Sequence, residues 1–181
     1  MLVDRLRKAK FNKHAGFSFM EVMLSVFVLS IGIVGVMPLF VSSLRESLDI
    51  RDQVVASMLA QEGIELVQNL RDNNRVRGET AFQSNFPNSS QDNCRIDYND
   101  SDVSDCNNGH SYTLNLNGYY AHTNSGTATK FQRKITLDFK VSNTQLVVTS
   151  IVIWGGGAFP AISDCNTAHK CAYASLILTK W

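Results

Sequence analysis

At 181 residues the chain allows one domain of ordinary size, or a membrane anchor with a smaller domain. Its formal charge of +1 conceals an asymmetry: residues 1–16 hold Arg5, Arg7, Lys8, Lys10 and Lys13 against Asp4 alone. That leaves 12 of the 17 basic and 15 of the 16 acidic side chains for the remainder. A basic nucleic-acid-binding domain is disfavoured, because the cationic excess is confined to a short tail.

Behind that tail, residues 17–41 hold a single ionisable side chain, Glu21. As a helix these residues would span roughly 37 Å, more than the ~30 Å hydrocarbon core of a bilayer. A signal peptide shares the basic-then-apolar order, but its apolar part is shorter and ends in small residues at a cleavage site. No such site follows here, so the run reads as a retained membrane helix. The positive-inside rule places residues 1–16 in the cytoplasm and the C-terminal bulk across the membrane.

Helical periodicity continues over residues 42–74. Leu44, Leu48, Val55, Leu59, Leu66 and Leu70 recur at spacings of about three, four or seven, with charges between them. The pattern stops in DNNRVRG, where Asn73, Asn74 and Gly78 are breakers. One helix from about 17 to 74 is therefore predicted, apolar all round in its first half and one-sided in its second. Residues 75–110 are rich in Asn, Ser, Asp and Gly, and read as a long loop with at most a short strand.

Strands fill residues 111–181. In SYTLNLNGYY, Tyr112, Leu114 and Leu116 alternate with polar residues. In KFQRKITLDFKV, Phe131, Ile135, Leu137, Phe139 and Val141 share one face, with Gln132, Lys134, Thr136, Asp138 and Lys140 on the other. SNTQ makes a tight turn into LVVTSIVIW, apolar enough for a central strand. GGGAFP opens a second long loop, and YASLILTKW forms the last strand. The predicted class is α+β: a long N-terminal helix packed on a three- to four-stranded antiparallel sheet.

The four cysteines all lie beyond the apolar run and allow three pairings. The local pairs Cys94–Cys106 and Cys165–Cys171 are favoured, since each would close a polar loop otherwise lacking structure. Their spacings lack the hairpin geometry of a zinc site, and no metal or cofactor is expected.

The pattern K-x-x-G-F-S-F-M-E, set between a short basic leader and the 25-residue apolar run, resembles the class III signal of type IV pilins and pseudopilins. It is carried by Lys13, Gly16, Phe17 and Glu21, and the order of everything downstream agrees. The resemblance implies that a prepilin peptidase cuts between Gly16 and Phe17 and N-methylates Phe17. It implies that Glu21 pairs with the N-terminal amine of a neighbouring subunit; pairing with its own amine, or simple snorkelling to the interface, is the alternative. It also implies assembly with other pilin or pseudopilin subunits through the N-terminal helix, on an inner-membrane assembly platform. Pilins commonly carry a proline near the position of Pro38, and with Gly32 and Gly35 it marks a site of kinking or local melting. Close packing in lipid is the simpler reading of those glycines. SMLAQEGIELVQNLRDNN and the pair FQRKITL with VVTSIVIW resemble minor pilins and minor pseudopilins of type II secretion.

Other sites carry less. His110, His122 and His169 lie in predicted loops, and no nucleophile motif, P-loop or H-E-x-x-H is present. Asp97, Asp100, Asp102 and Asp105 suggest a calcium loop, but the EF-hand glycine and glutamate are missing, so a solvated acidic loop is expected. Tyr119, Tyr120 and Phe131 are expected in the core or on the sheet surface. The expectation is thus a non-enzymatic minor pilin or pseudopilin precursor, single-pass in the cytoplasmic membrane and then part of a pilus or periplasmic filament. The alternative is a membrane-anchored extracytoplasmic binding protein that joins no filament.

Overall fold

The computed structural model describes residues 18–79, 84–103, 105, 106, 109, 111–123, 125–140 and 144–180. The basic leader, Gly16, Phe17, His110 and Val141 lie outside the described residues. Helix α1 runs Phe19–Val76, two residues later at each end than the periodicity predicts. It starts where the Ser18 carbonyl accepts from the N–H groups of Glu21 and Val22, at 2.9 and 3.2 Å. It ends at Gly78, whose φ of +77° is the left-handed conformation glycine reaches without a Cβ clash. There Gly78 N–H donates to Arg75 O and Glu79 N–H to Asn74 O, the paired bonds that satisfy a helix's last carbonyls.

The chain divides into two compact units, residues 1–46 and 47–181. In the first, the described part of α1 is exposed throughout, and it is the stretch long and apolar enough to cross a membrane. In the second, α1 packs on an antiparallel sheet of six strands: β1 (Gln91–Cys94), β2 (Thr113–Leu116), β3 (Tyr120–Ala121), β4 (Thr127–Lys140), β5 (Gln145–Trp154) and β6 (Cys171–Thr179). The order is β3-β2-β4-β5-β6, with β1 off this path against β4; the predicted helix on an antiparallel sheet stands, with six strands in place of three or four. The two additional strands are β3, a two-residue return of β2, and β1 inside the 75–110 loop. At 14 residues β4 is long enough to serve two partners on one side. Its first half pairs with β2 and its second with β1, while β5 runs along the other side.

The core lies between helix and sheet because both present an apolar face there. Ile64, Val67 and Leu70 of α1, spaced at three residues, meet Ile135 and Leu137 of β4 and Leu146 and Val148 of β5. Nearer the helix's middle, Ala56, Leu59 and Ala60 meet Phe131, Val152 and Trp154. Gly63 allows the close approach between these two groups. A Cβ there would stand 2.5 Å from Ser150 Oγ, 3.0 Å from Ile135 Cδ1 and 3.1 Å from Arg133 Cδ. Gly63→Leu is therefore expected to lower stability by about 1–3 kcal/mol through overpacking. A denaturant titration giving a midpoint equal to that of the unaltered chain would contradict this packing.

β5 alternates the other way as well, so Ile151 and Ile153 face away from α1. They are covered by Phe159 from the loop after β5 and by Cys165 and Cys171. Phe159 is held edge-on to Tyr112 at 5.3 Å between centroids, with the Lys134 ammonium 5.2 Å from its own.

Candidate functional site

Three places could carry function. The first is the uncovered half of α1. Glu21 lies in its first turn, where the exposed N–H groups of a helix favour a negative charge. Its side chain is exposed and its carbonyl accepts from Ser25 Oγ at 2.7 Å. Gly32 and Gly35 have nothing within 4 Å of where a Cβ would sit. Leu29, Gly32, Ile33, Val36, Met37 and Phe40 line a shallow apolar groove of about 470 Å³. Pro38 stands inside the helix, which continues through it. Proline leaves the Val34 carbonyl without its usual N–H donor, so this turn is held by fewer bonds than its neighbours. A surface of this composition can enter lipid or meet another apolar helix.

The second is a buried polar network that the sequence does not announce. Arg133 follows Phe131 and precedes Ile135 in strict alternation, so its side chain enters the core beneath α1 and is fully buried. Its Nη2 donates to Ile96 O at 2.9 Å, and its Nη1 lies 3.2 Å from Glu62 Oε1 and 3.4 Å from Leu59 O. Asp97 Oδ1 stands 3.9 Å from Nη2. Asp97 is also buried and accepts from the His122 backbone N–H at 2.9 Å and from His122 Nδ1 at 2.8 Å. The other ring nitrogen, Nε2, lies 3.1 Å from Arg133 O. The network therefore ties α1, β4, the bend after β3 and the chain beyond β1 into one unit.

Burial works to raise the Asp97 pKa, but the bonds from His122 and the nearby Arg133 charge outweigh it and hold the carboxyl below its ordinary range. His122, expected in a loop, does lie in a bend but is buried, and its role is to hold Asp97. His169 sits in a short 3₁₀ turn, where Asn166 Oδ1 accepts from its backbone N–H at 3.1 Å.

The third is the acidic loop. Asp97, Asp100, Asp102 and Asp105 line one cavity of about 200 Å³ with Arg95, His122 and Thr123. The expected solvated loop is corrected at Asp97, which the network draws inward. Asp105 is answered by Arg95, and Asp100 caps the Asp97 N–H at 2.8 Å. Burial, with Asp97 and Asp102 nearby, raises the pKa of Asp100. Among the described residues, no group of three or more metal-ligating side chains is placed to hold a metal ion. Beside the cavity, Tyr98 and Tyr119 meet edge-on at 4.4 Å on the surface. Phe131 is core, and Tyr120 is half-buried against it.

The disulfides are those favoured from the sequence, Cys94–Cys106 and Cys165–Cys171. The first closes the acidic loop onto the core beside Ile96 and Val103. The second staples the loop that covers the outer face of β5. Asn74, a breaker by its type, is instead helical and fully buried. Its side-chain amide donates to Ser84 O at 2.5 Å and its carbonyl accepts from Asn85 Nδ2 at 2.7 Å, fixing the loop that leaves α1. Comparison with known proteins finds no match: no family model, no curated protein and no solved structure.

Proposed function

We propose that the chain is a minor type IV pilin or pseudopilin precursor, a structural subunit whose only chemistry is that of a substrate. One observation carries the reading. The signal K-x-x-G-F-S-F-M-E stands at the head of a helix whose first half is apolar and uncovered and whose second half packs on an antiparallel sheet. In this reading a prepilin peptidase cuts after Gly16 on the cytoplasmic side and methylates the new amine of Phe17. Glycine suits the cut, since its backbone can lie flat in a protease cleft, and methylation leaves the amine charged.

The same reading gives Glu21 its purpose. A carboxylate deep in a bilayer costs about 2.5–3.5 kcal/mol, less near the interface, and an ammonium partner offsets that cost. A neighbour's Phe17 amine supplies that partner and sets the axial step between subunits. The groove around Gly32 and Ile33 would seat adjoining helices, and the turn weakened by Pro38 would let α1 extend during assembly. The two disulfides support an extracytoplasmic sheet unit, because such bonds persist in oxidising compartments.

Glu21→Val is expected to leave membrane insertion and cleavage intact while reducing incorporation into filaments by about tenfold or more. That factor corresponds to losing about 1.4 kcal/mol of pairing. Immunoblots of sheared filament fractions against membrane fractions read the ratio. Incorporation equal to that of the unaltered chain would remove the pairing role. A membrane-anchored binding protein outside any filament would show neither cleavage nor a Glu21 effect.

A further inference from the structure

The last strand leaves one edge of the sheet open, and its construction is specific. β6 pairs with β5 at nine consecutive positions, from Cys171↔Ile153 to Thr179↔Gln145, without a break in register. Just beyond each end, Trp154 N–H donates to Lys170 O and Lys180 N–H donates to Thr144 O. In an antiparallel ladder this phase turns the even-numbered residues of β6 toward β5. The N–H and C=O groups of Tyr173, Ser175 and Ile177 then point away from the sheet, and no described residue takes them up. The side chains of these three residues and Thr179 are exposed, with Ile177 at 61%.

Sheet edges of this length are usually blunted by a proline, a bulge or a charge within the strand. Residues 171–179 contain none of the three. The charges instead bracket the strand, as Lys170 and Lys180. Both are exposed, and neither forms an ion pair among the described residues. That placement decides between occupants. A second copy pairing antiparallel about Ser175 would set Tyr173 against Ile177, which is favourable. It would also set Lys170 against Lys180 twice, and like charges directly opposed are destabilising. A strand with carboxylates at both ends meets the same two lysines with the opposite sign.

We propose that β6 accepts an extended segment from another protein, added antiparallel as a further strand. The segment is about eleven residues long, spanning roughly 33 Å at ~3.3 Å per residue. It alternates apolar and hydroxyl-bearing side chains and carries an acidic residue at each end. Backbone bonds to Tyr173, Ser175 and Ile177 supply affinity, and the two lysines set register and choice of partner. The site requires no filament and stands apart from the proposed function.

Fluorescence anisotropy with the full chain in detergent micelles tests it. The probe is an eleven-residue peptide of alternating threonine and valine with glutamate at both ends. The control peptide carries lysine at those ends. The glutamate-ended probe is expected to bind about tenfold more tightly or better, the factor that two exposed ion pairs replaced by two repulsions amount to. Lys170→Glu with Lys180→Glu is expected to invert that preference. Ser175→Pro removes an N–H that faces away from β5, so it should abolish binding while keeping the sheet. If that variant fails to fold, the lysine reversal decides alone. Three results would overturn the proposal: no binding of either peptide, equal binding of both, or self-association of the full chain that Ser175→Pro abolishes.

Discussion

Asp97→Ala is expected to destabilise the sheet unit by about 3–5 kcal/mol, the usual cost of removing one member of a buried ionic group. Its carboxylate accepts both the ring and the backbone N–H of His122 and lies 3.9 Å from the Arg133 guanidinium. Without it, a fully buried Arg133 keeps, among the described residues, only the partly exposed Glu62 as a charged partner, and the His122 ring faces a cavity. Glu62, 39% exposed, keeps contact with water and answers the guanidinium more weakly. Urea unfolding of the full chain in micelles reads the loss as a lower midpoint with unchanged slope. A loss under about 1 kcal/mol would place the network among ordinary surface pairs.

The same carboxylate makes stability depend on pH, and the sign follows from the direction of its shift. Asp97 is held below its ordinary pKa when folded, so the unfolded chain binds the proton more readily. Its contribution is therefore complete above about pH 4, the ordinary carboxylate value, and is lost as pH falls through the lower folded value. In Asp97→Ala the acid limb of the stability profile should flatten correspondingly.

The second large loss is expected from Cys94→Ala with Cys106→Ala, at about 2–5 kcal/mol. The bridge closes a loop with a sequence separation of 12, and in the chain-entropy account a 15-residue loop is worth about 3 kcal/mol. Cys94 is fully buried and belongs to the same cluster as Ile96 and Val103, so the alanine variant also leaves unfilled volume. The loop carries Asp97, so opening it loosens the grip on His122 and Arg133. Limited proteolysis should then cut between residues 95 and 106 at least about tenfold faster, as expected when local opening becomes easier by more than about 1.4 kcal/mol. Unchanged cleavage would mean that the network holds the loop without the disulfide.

Periodicity was the legible part of this chain. The apolar run, the one-sided second half of α1 and the alternation of β4 each depend on local spacing, and each stands in the structure. β1 and β3, at four and two residues, are too short to carry a period. Their partners on β4 and β2 are set by the tertiary fold. The buried network escaped for a different reason. Arg133 sits in phase with Phe131 and Ile135, and that phase was the available signal, but a charged residue is seldom fully buried without partners. Its partners Glu62, Asp97 and His122 come from sequence positions 71, 36 and 11 residues away, which no local window joins. Asn74 follows the same logic: a residue that commonly ends helices is retained in one because Ser84 and Asn85 satisfy its amide.

In the proposed function, residues 1–16 form a leader and the mature chain begins at Phe17. Expression of the full chain with a prepilin peptidase, followed by mass spectrometry of the intact membrane-extracted protein, tests it most directly. The expected mass lacks residues 1–16 and carries one added methyl group, which fragmentation places on the Phe17 amine. A chain that still begins at Met1, under conditions where a known prepilin in the same cells is fully cut, would contradict it.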